Sequence, residues 1–152
     1  MANTKKIQEL LMNSIFEVFE KMFFVFLEPF DEDMQYDMVT SIQFNGPIKG
    51  EIKTYLSRGV ASIMVQNMLG LEPKDVTDKT LEDCAKEALN MIAGSFLNKL
   101  DSTQVFNLSI PEYEGKTGKF NKDKDSNAIL SLTFDSDDQY LGITMNLETE
   151  NK

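Results

Sequence analysis

The sequence predicts an α+β fold: a pseudo-symmetric single domain over residues 1–152, with two long helices packed on a mainly antiparallel β-sheet. Three observations carry this prediction. Apolar residues recur at helical spacing in two long stretches, one in each half of the chain. Each stretch is followed by shorter segments of alternating polarity that read as antiparallel strands. Finally, 152 residues that are 41% hydrophobic and include 11 Phe supply one core and one domain, with little room for disorder.

The first helix is expected over 4–26, where Ile7, Leu10, Leu11, Ile15, Val18, Phe19, Met22, Phe23 and Phe26 share a face. "EPFDED" (28–33) breaks it. Two alternating segments follow, 36–44 and 48–56, separated by "NGP", a hairpin signal whose proline is unusual for a two-residue turn. A shorter helix over 59–69 is stopped by Gly70 and Pro73. The second long helix begins at an N-cap supplied by Thr77 or Asp78, carries Glu82 and Asp83 in its early turns and runs to residue 100. After it come 104–111, a polar stretch (112–126) and two strand-like segments, 128–134 and 140–147, joined by the turn "DSDDQ".

Charge narrows the partners. A net charge of −10, with Arg58 the only arginine, disfavours nucleic acid and anionic membrane surfaces and leaves proteins as partners. The longest apolar run, "MFFVFL" (22–27), is too short to span a bilayer, and "MANTKKIQELLMNS" lacks the pattern of a signal peptide. A single cysteine, Cys84, allows no intrachain disulfide and fits a reducing, cytoplasmic setting. The sequon at 107–109 then has no meaning.

Much catalytic chemistry is missing. With no His and one Cys, Ser-His-Asp and Cys-His catalysis, histidine metal sites and cysteine clusters are excluded. No glycine-rich phosphate loop is present. "DSDD" (135–138) lacks the Gly and Glu of a calcium loop and reads as a hairpin turn, and "DED" (31–33) as solvated loop. Cys84 has no basic neighbour to activate it. Met64, Met68 and Met91 read as core filling, with a homodimer interface as the alternative.

On a helical wheel of the second long helix, Leu81, Ala85, Ala88, Leu89, Ile92, Ala93, Phe96, Leu97 and Leu100 form a broad core face. Asp83, Glu87, Asn90, Gly94 and Asn98 occupy a narrow strip opposite. A solvated face would account for polar residues there. Asn and Gly are nevertheless poor helix formers, and their presence beside a Glu suits a surface kept flat for an approaching partner.

Asp83-x-x-x-Glu87-x-x-Asn90, followed by Pro111 after twenty intervening residues, resembles the signature of the CheC/CheX/FliY chemotaxis phosphatases, as does the continuation "MIAGSFLNKL" (91–100). The chain is most similar to the single-motif CheX branch, with a CheC-like fold. Superposing the two long helices in sequence sets Glu17 against Glu87, Glu20 against Asn90 and Phe24 against Gly94. Only the second long helix keeps the Asn, so one working site is expected.

The resemblance implies a substrate, the aspartyl-phosphate of a CheY-like response regulator. It implies that Asn90 orients the attacking water, that Glu87 pairs with the partner's lysine, that Gly94 lets the partner approach and that Asp83 frames the contact. It further implies no cofactor of the protein's own, with Mg²⁺ supplied by the response regulator, and the possibility of a homodimer exchanging β elements within 104–120 or 128–147. The competing reading is a non-catalytic response-regulator-binding or motor-switch-type module using the same face.

Overall fold

The computed structural model describes residues 4–121 and 130–148. Helix α1 (Thr4–Phe23) buries Ile7, Leu11, Ile15, Val18, Phe19 and Phe23. It ends three residues before the sequence pattern suggests. Phe24 adopts a left-handed backbone, φ 54°, and the Val25 amide donates to the Phe19 carbonyl at 2.9 Å. From there burial alternates: Val25 and Leu27 enter the core while Phe24 and Phe26 remain 64% and 65% exposed. The period changes from helical to extended within a run of six apolar residues, so polarity alone does not reveal the change.

The chain continues through β1 (Glu28–Pro29) and β2 (Met34–Tyr36) into a hairpin of β3 (Met38–Asn45) and β4 (Lys49–Leu56), in register from Met38↔Leu56 to Phe44↔Gly50. Alternate residues of β3 are buried, as a sheet with one face on the core requires. Asp37 separates β2 from β3 and accepts a hydrogen bond from the Arg58 amide at 2.6 Å. Helix α2 (Arg58–Leu69) is capped by Ser57, which accepts from the Val60 amide, and stops at left-handed Gly70.

Helix α3 (Asp78–Leu100) starts from a reciprocal cap: the Thr77 hydroxyl accepts from the Thr80 amide, and the Thr80 hydroxyl accepts from the Thr77 amide. Of the segment 104–111, β5 (Asn107–Leu108) pairs on the outer edge of β3, and the Ser109 amide next to it donates to the Gln43 carbonyl at 2.8 Å. The polar stretch contains two short strands, β6 (Glu112–Glu114), also on β3, and β7 (Gly118–Phe120), on β2. Its remainder, 122–126, and the start of the strand expected from 128 lie outside the described residues. The last hairpin is β8 (Leu130–Ser136) with β9 (Gln139–Glu148).

In the main sheet the order is β1-β8-β9-β4-β3, with β5 and β6 on the far side of β3. The antiparallel seam β4–β9 is central, and hairpins β3–β4 and β8–β9 flank it. This is the pseudo-symmetry expected from the repeated helix-then-strands order. One continuous core joins the three helices to the sheet, with Phe19, Phe23, Phe96 and Phe134 fully buried. Met64 is part of that core, while Met68 is partly exposed.

Candidate functional site

The core face of α3 is as the wheel requires. Leu81, Ala85, Ala88, Leu89, Ile92, Ala93, Phe96 and Leu97 are buried, and Leu100 packs against the core from its edge. Asp83, Glu87, Asn90 and Asn98 are exposed on the other side. The strip from Asp83 to Gly94 spans about 16 Å at 1.5 Å per residue.

Its members differ in what holds them. Asp83 is engaged with its own helix, its carboxylate 3.0 Å from Lys79 Nζ. Lys86, beside Glu87 in sequence, is turned to Glu82 at 2.8 Å. The Glu87 and Asn90 side chains make no hydrogen bond or ion pair among the described residues. A Cβ built on Gly94 meets nothing within 4 Å, so glycine is not required there by packing. The strip therefore presents a free carboxylate, a free carboxamide one turn on, and a position without a side chain.

Behind the strip, Cys84 is buried and its thiol is pushed up to about 12, by burial first and then by the Glu87 carboxylate. At neutral pH it is a protonated, inert thiol, as the sequence suggests. Pro111 lies on the flank of α3. Together with Lys86, Val39 and Tyr113 it lines an open groove of about 590 Å³. Pairing of β6 with β3 brings Pro111 there, which gives the twenty-residue interval a structural meaning. Burial, then the carboxylates of Glu82 and Asp78, raise the Tyr113 hydroxyl above its ordinary value. No local signal reveals Tyr113 as a neighbour of Lys86 and the strip, because the β6–β3 pairing that brings it there is long-range.

On α1 the counterpart of Glu87, Glu17, is engaged, while Glu20, the counterpart of Asn90, is exposed. Glu17 accepts from Lys99 Nζ at 3.0 Å and from Ser95 Oγ at 3.3 Å, and Lys21 lies 3.6 Å away. The Lys99 hydrogen bond and charge hold its carboxyl below the ordinary value. The "DSDD" segment is a turn: Asp137 and Asp138, both at positive φ, close the β8–β9 hairpin. Among the described residues, no group of three or more His, Cys, Asp or Glu could hold a metal ion, and no helix is long and apolar enough to cross a membrane.

Comparison with known families matches residues 38–135, more than half of the chain, to the family described as "Chemotaxis phosphatase CheX". Among solved structures the chain is similar to a chemotaxis protein CheX from Vibrio vulnificus (TM-score 0.80, 22% identity, 97% of this chain and 100% of that one). It is similar to a CheC-like superfamily protein from Shewanella sp. PV-4 (TM-score 0.78, 21% identity, 97% and 99%). It also resembles a chain in a CheX-CheY-BeF3-Mg²⁺ complex from Borrelia burgdorferi (TM-score 0.67, 18% identity, 94% and 97%). At these identities the likeness concerns the fold. No curated protein sequence gives a significant match.

Proposed function

The chain belongs to the chemotaxis phosphatase CheX family, and from that premise we propose that it accelerates hydrolysis of the aspartyl-phosphate of a CheY-like response regulator. The observation that carries this reading is the strip on α3, where Glu87 and Asn90 are exposed and make no hydrogen bond or ion pair among the described residues, while the neighbouring Asp83 and Lys86 are held by Lys79 and Glu82. A related fold in complex with CheY, BeF3 and Mg²⁺ supports the choice of partner.

The chemistry asks little covalent work of the protein. Water attacks phosphorus in line, the bond from phosphorus to the aspartyl oxygen breaks, and inorganic phosphate and a free carboxylate result. Positioning lowers the barrier most. The Asn90 carboxamide suits a water, because it offers a donor and an acceptor on one rigid group. Glu87, one turn earlier, pairs with the receiver's lysine and fixes the register. Gly94 leaves room for the receiver's loop, and Asp83, braced by Lys79, frames the contact. Mg²⁺ is carried by the receiver, and the protein brings no cofactor. The setting is the cytoplasm, where receivers signal.

The test is phosphate loss from a phosphorylated, Mg²⁺-bound receiver. Wild type speeds it and Asn90→Ala abolishes the acceleration while still folding. If every receiver from the same cell decays at its intrinsic rate, the reading fails. If Asn90→Ala changes affinity and not phosphate lifetime, the face is a non-catalytic binding module.

Self-association through 104–111 belongs to the same proposal. There β5 is a two-residue edge strand, and Val105 and Ile110 are 80% and 86% exposed beside it. Light scattering should give a dimer mass, and Val105→Lys/Ile110→Lys a monomer.

A further inference from the structure

A second surface, lined by no residue of α3, lies where α1 ends. Phe24, Phe26 and Ile63, with Val25 between the two rings, form the apolar part of a groove of about 630 Å³. Its rim is acidic: Glu28, Asp135, Asp137 and Asp138 line it, and no Lys or Arg does so among the described residues. We propose that this groove docks a basic amphipathic segment of another protein, with apolar side chains seated on the two phenyl rings and Lys or Arg facing the rim.

Three features support this occupant. The rings are held outward by the backbone. Phe23, Val25 and Leu27 are anchored in the core, so the intervening Phe24 and Phe26 face solvent, and the Asn67 amide pins the turn by donating to the Phe23 carbonyl at 2.8 Å. The bulky Phe24 holds the left-handed backbone that glycine would adopt more readily. Next, Glu28 and Asp135 are directly opposed cross-strand partners, a like-charge pairing that a cationic ligand relieves. None of the four rim carboxylates has an ion-pair partner among the described residues. Finally, charge argues against the other occupants. A second copy with net charge −10 brings like charge to this rim, whereas the self-association proposed above uses the apolar β5 edge at the opposite end of the sheet, and an anionic membrane is repelled by the rim.

The probe is a fluorescein-labelled, 18-residue helical peptide of Leu and Lys with one apolar face, read by anisotropy against a scrambled peptide of the same composition. Wild type should bind the amphipathic peptide and bind the scrambled one about tenfold more weakly. Phe24→Ser/Phe26→Ser, both at exposed positions, should lose about tenfold or more. Asp137→Asn/Asp138→Asn, which keeps residues tolerant of the turn's positive φ, should weaken binding and flatten its salt dependence. Asn90→Ala should bind as wild type does. Equal binding of the scrambled peptide, retention of affinity within twofold by the Phe variant, or equal loss in Asn90→Ala would each overturn the proposal.

Discussion

Helices α1 and α3 occupy related places in a pseudo-symmetric domain and share a broad apolar face, yet they present different chemistry outward. On α3, Glu87 and Asn90 are exposed with no partner among the described residues, and Gly94 leaves open space. On α1, the matching Glu17 is tied to Ser95 and Lys99 of α3, Glu20 stands where α3 has Asn90, and the chain leaves the helix at Phe24. A carboxylate at the matching place in the repeat thus meets two different environments. What separates Glu17 from Glu87 is whether the carboxylate is available to a partner, and Glu17 instead joins the two helices to each other.

Asn90→Ala is the substitution that breaks this contrast most deeply. Loss of a positioned group of this kind costs about a hundredfold or more in rate, and here it should reduce receiver dephosphorylation to the intrinsic rate at every receiver concentration. Glu87→Ala should come next, with a roughly tenfold to hundredfold loss at low receiver concentration. Its deficit should shrink as receiver saturates, because a docking contact acts mainly on association. A uniform loss in kcat would instead place Glu87 in the chemical step.

Gly94 sharpens the comparison with an effect of opposite sign on stability. Helix-interior glycine costs roughly 0.5–1 kcal/mol relative to alanine, and a methyl group at 94 meets no atom within 4 Å. Gly94→Ala should therefore raise the Tm, while Gly94→Phe, which copies Phe24 of α1, should fold and lose receiver-stimulated turnover. If Gly94→Phe turns over receiver normally, the open space at 94 serves no partner.

Much of this contrast is legible in the sequence. The spacing of α3 gives its core face, the Thr77-Asp78 pair its start, with the cap itself settled on Thr77 only by the fold, and the grouping of Glu87, Asn90 and Gly94 opposite. Their chemical roles come from resemblance and not from spacing. The end of α1 is hidden because residues 22–27 are all apolar, so a change from helical to alternating burial leaves no mark in polarity. Strands β5, β6 and β7 are hidden for another reason: each is two or three residues long and exists through pairing with β3 or β2. The capture of Glu17 by Lys99 spans 82 positions and depends on how α1 packs against α3, which no local pattern encodes.

The smallest effect tests that capture. Glu17→Ala should leave receiver dephosphorylation unchanged and lower stability by at most about 1 kcal/mol, because the ion pair is only partly buried and is screened by solvent. Its pH dependence has a definite sign. The folded-state carboxyl is held below its ordinary value of 4.5, chiefly by Lys99. The stabilisation is therefore present above that ordinary value and is lost as pH falls through the lower, folded-state value. Thermal melts of wild type and Glu17→Ala should differ at pH 7 and converge under more acidic conditions, with the gap narrowing in high salt. If Glu17→Ala instead reduces dephosphorylation as Glu87→Ala does, α1 carries a working site and the division between the two helices is wrong.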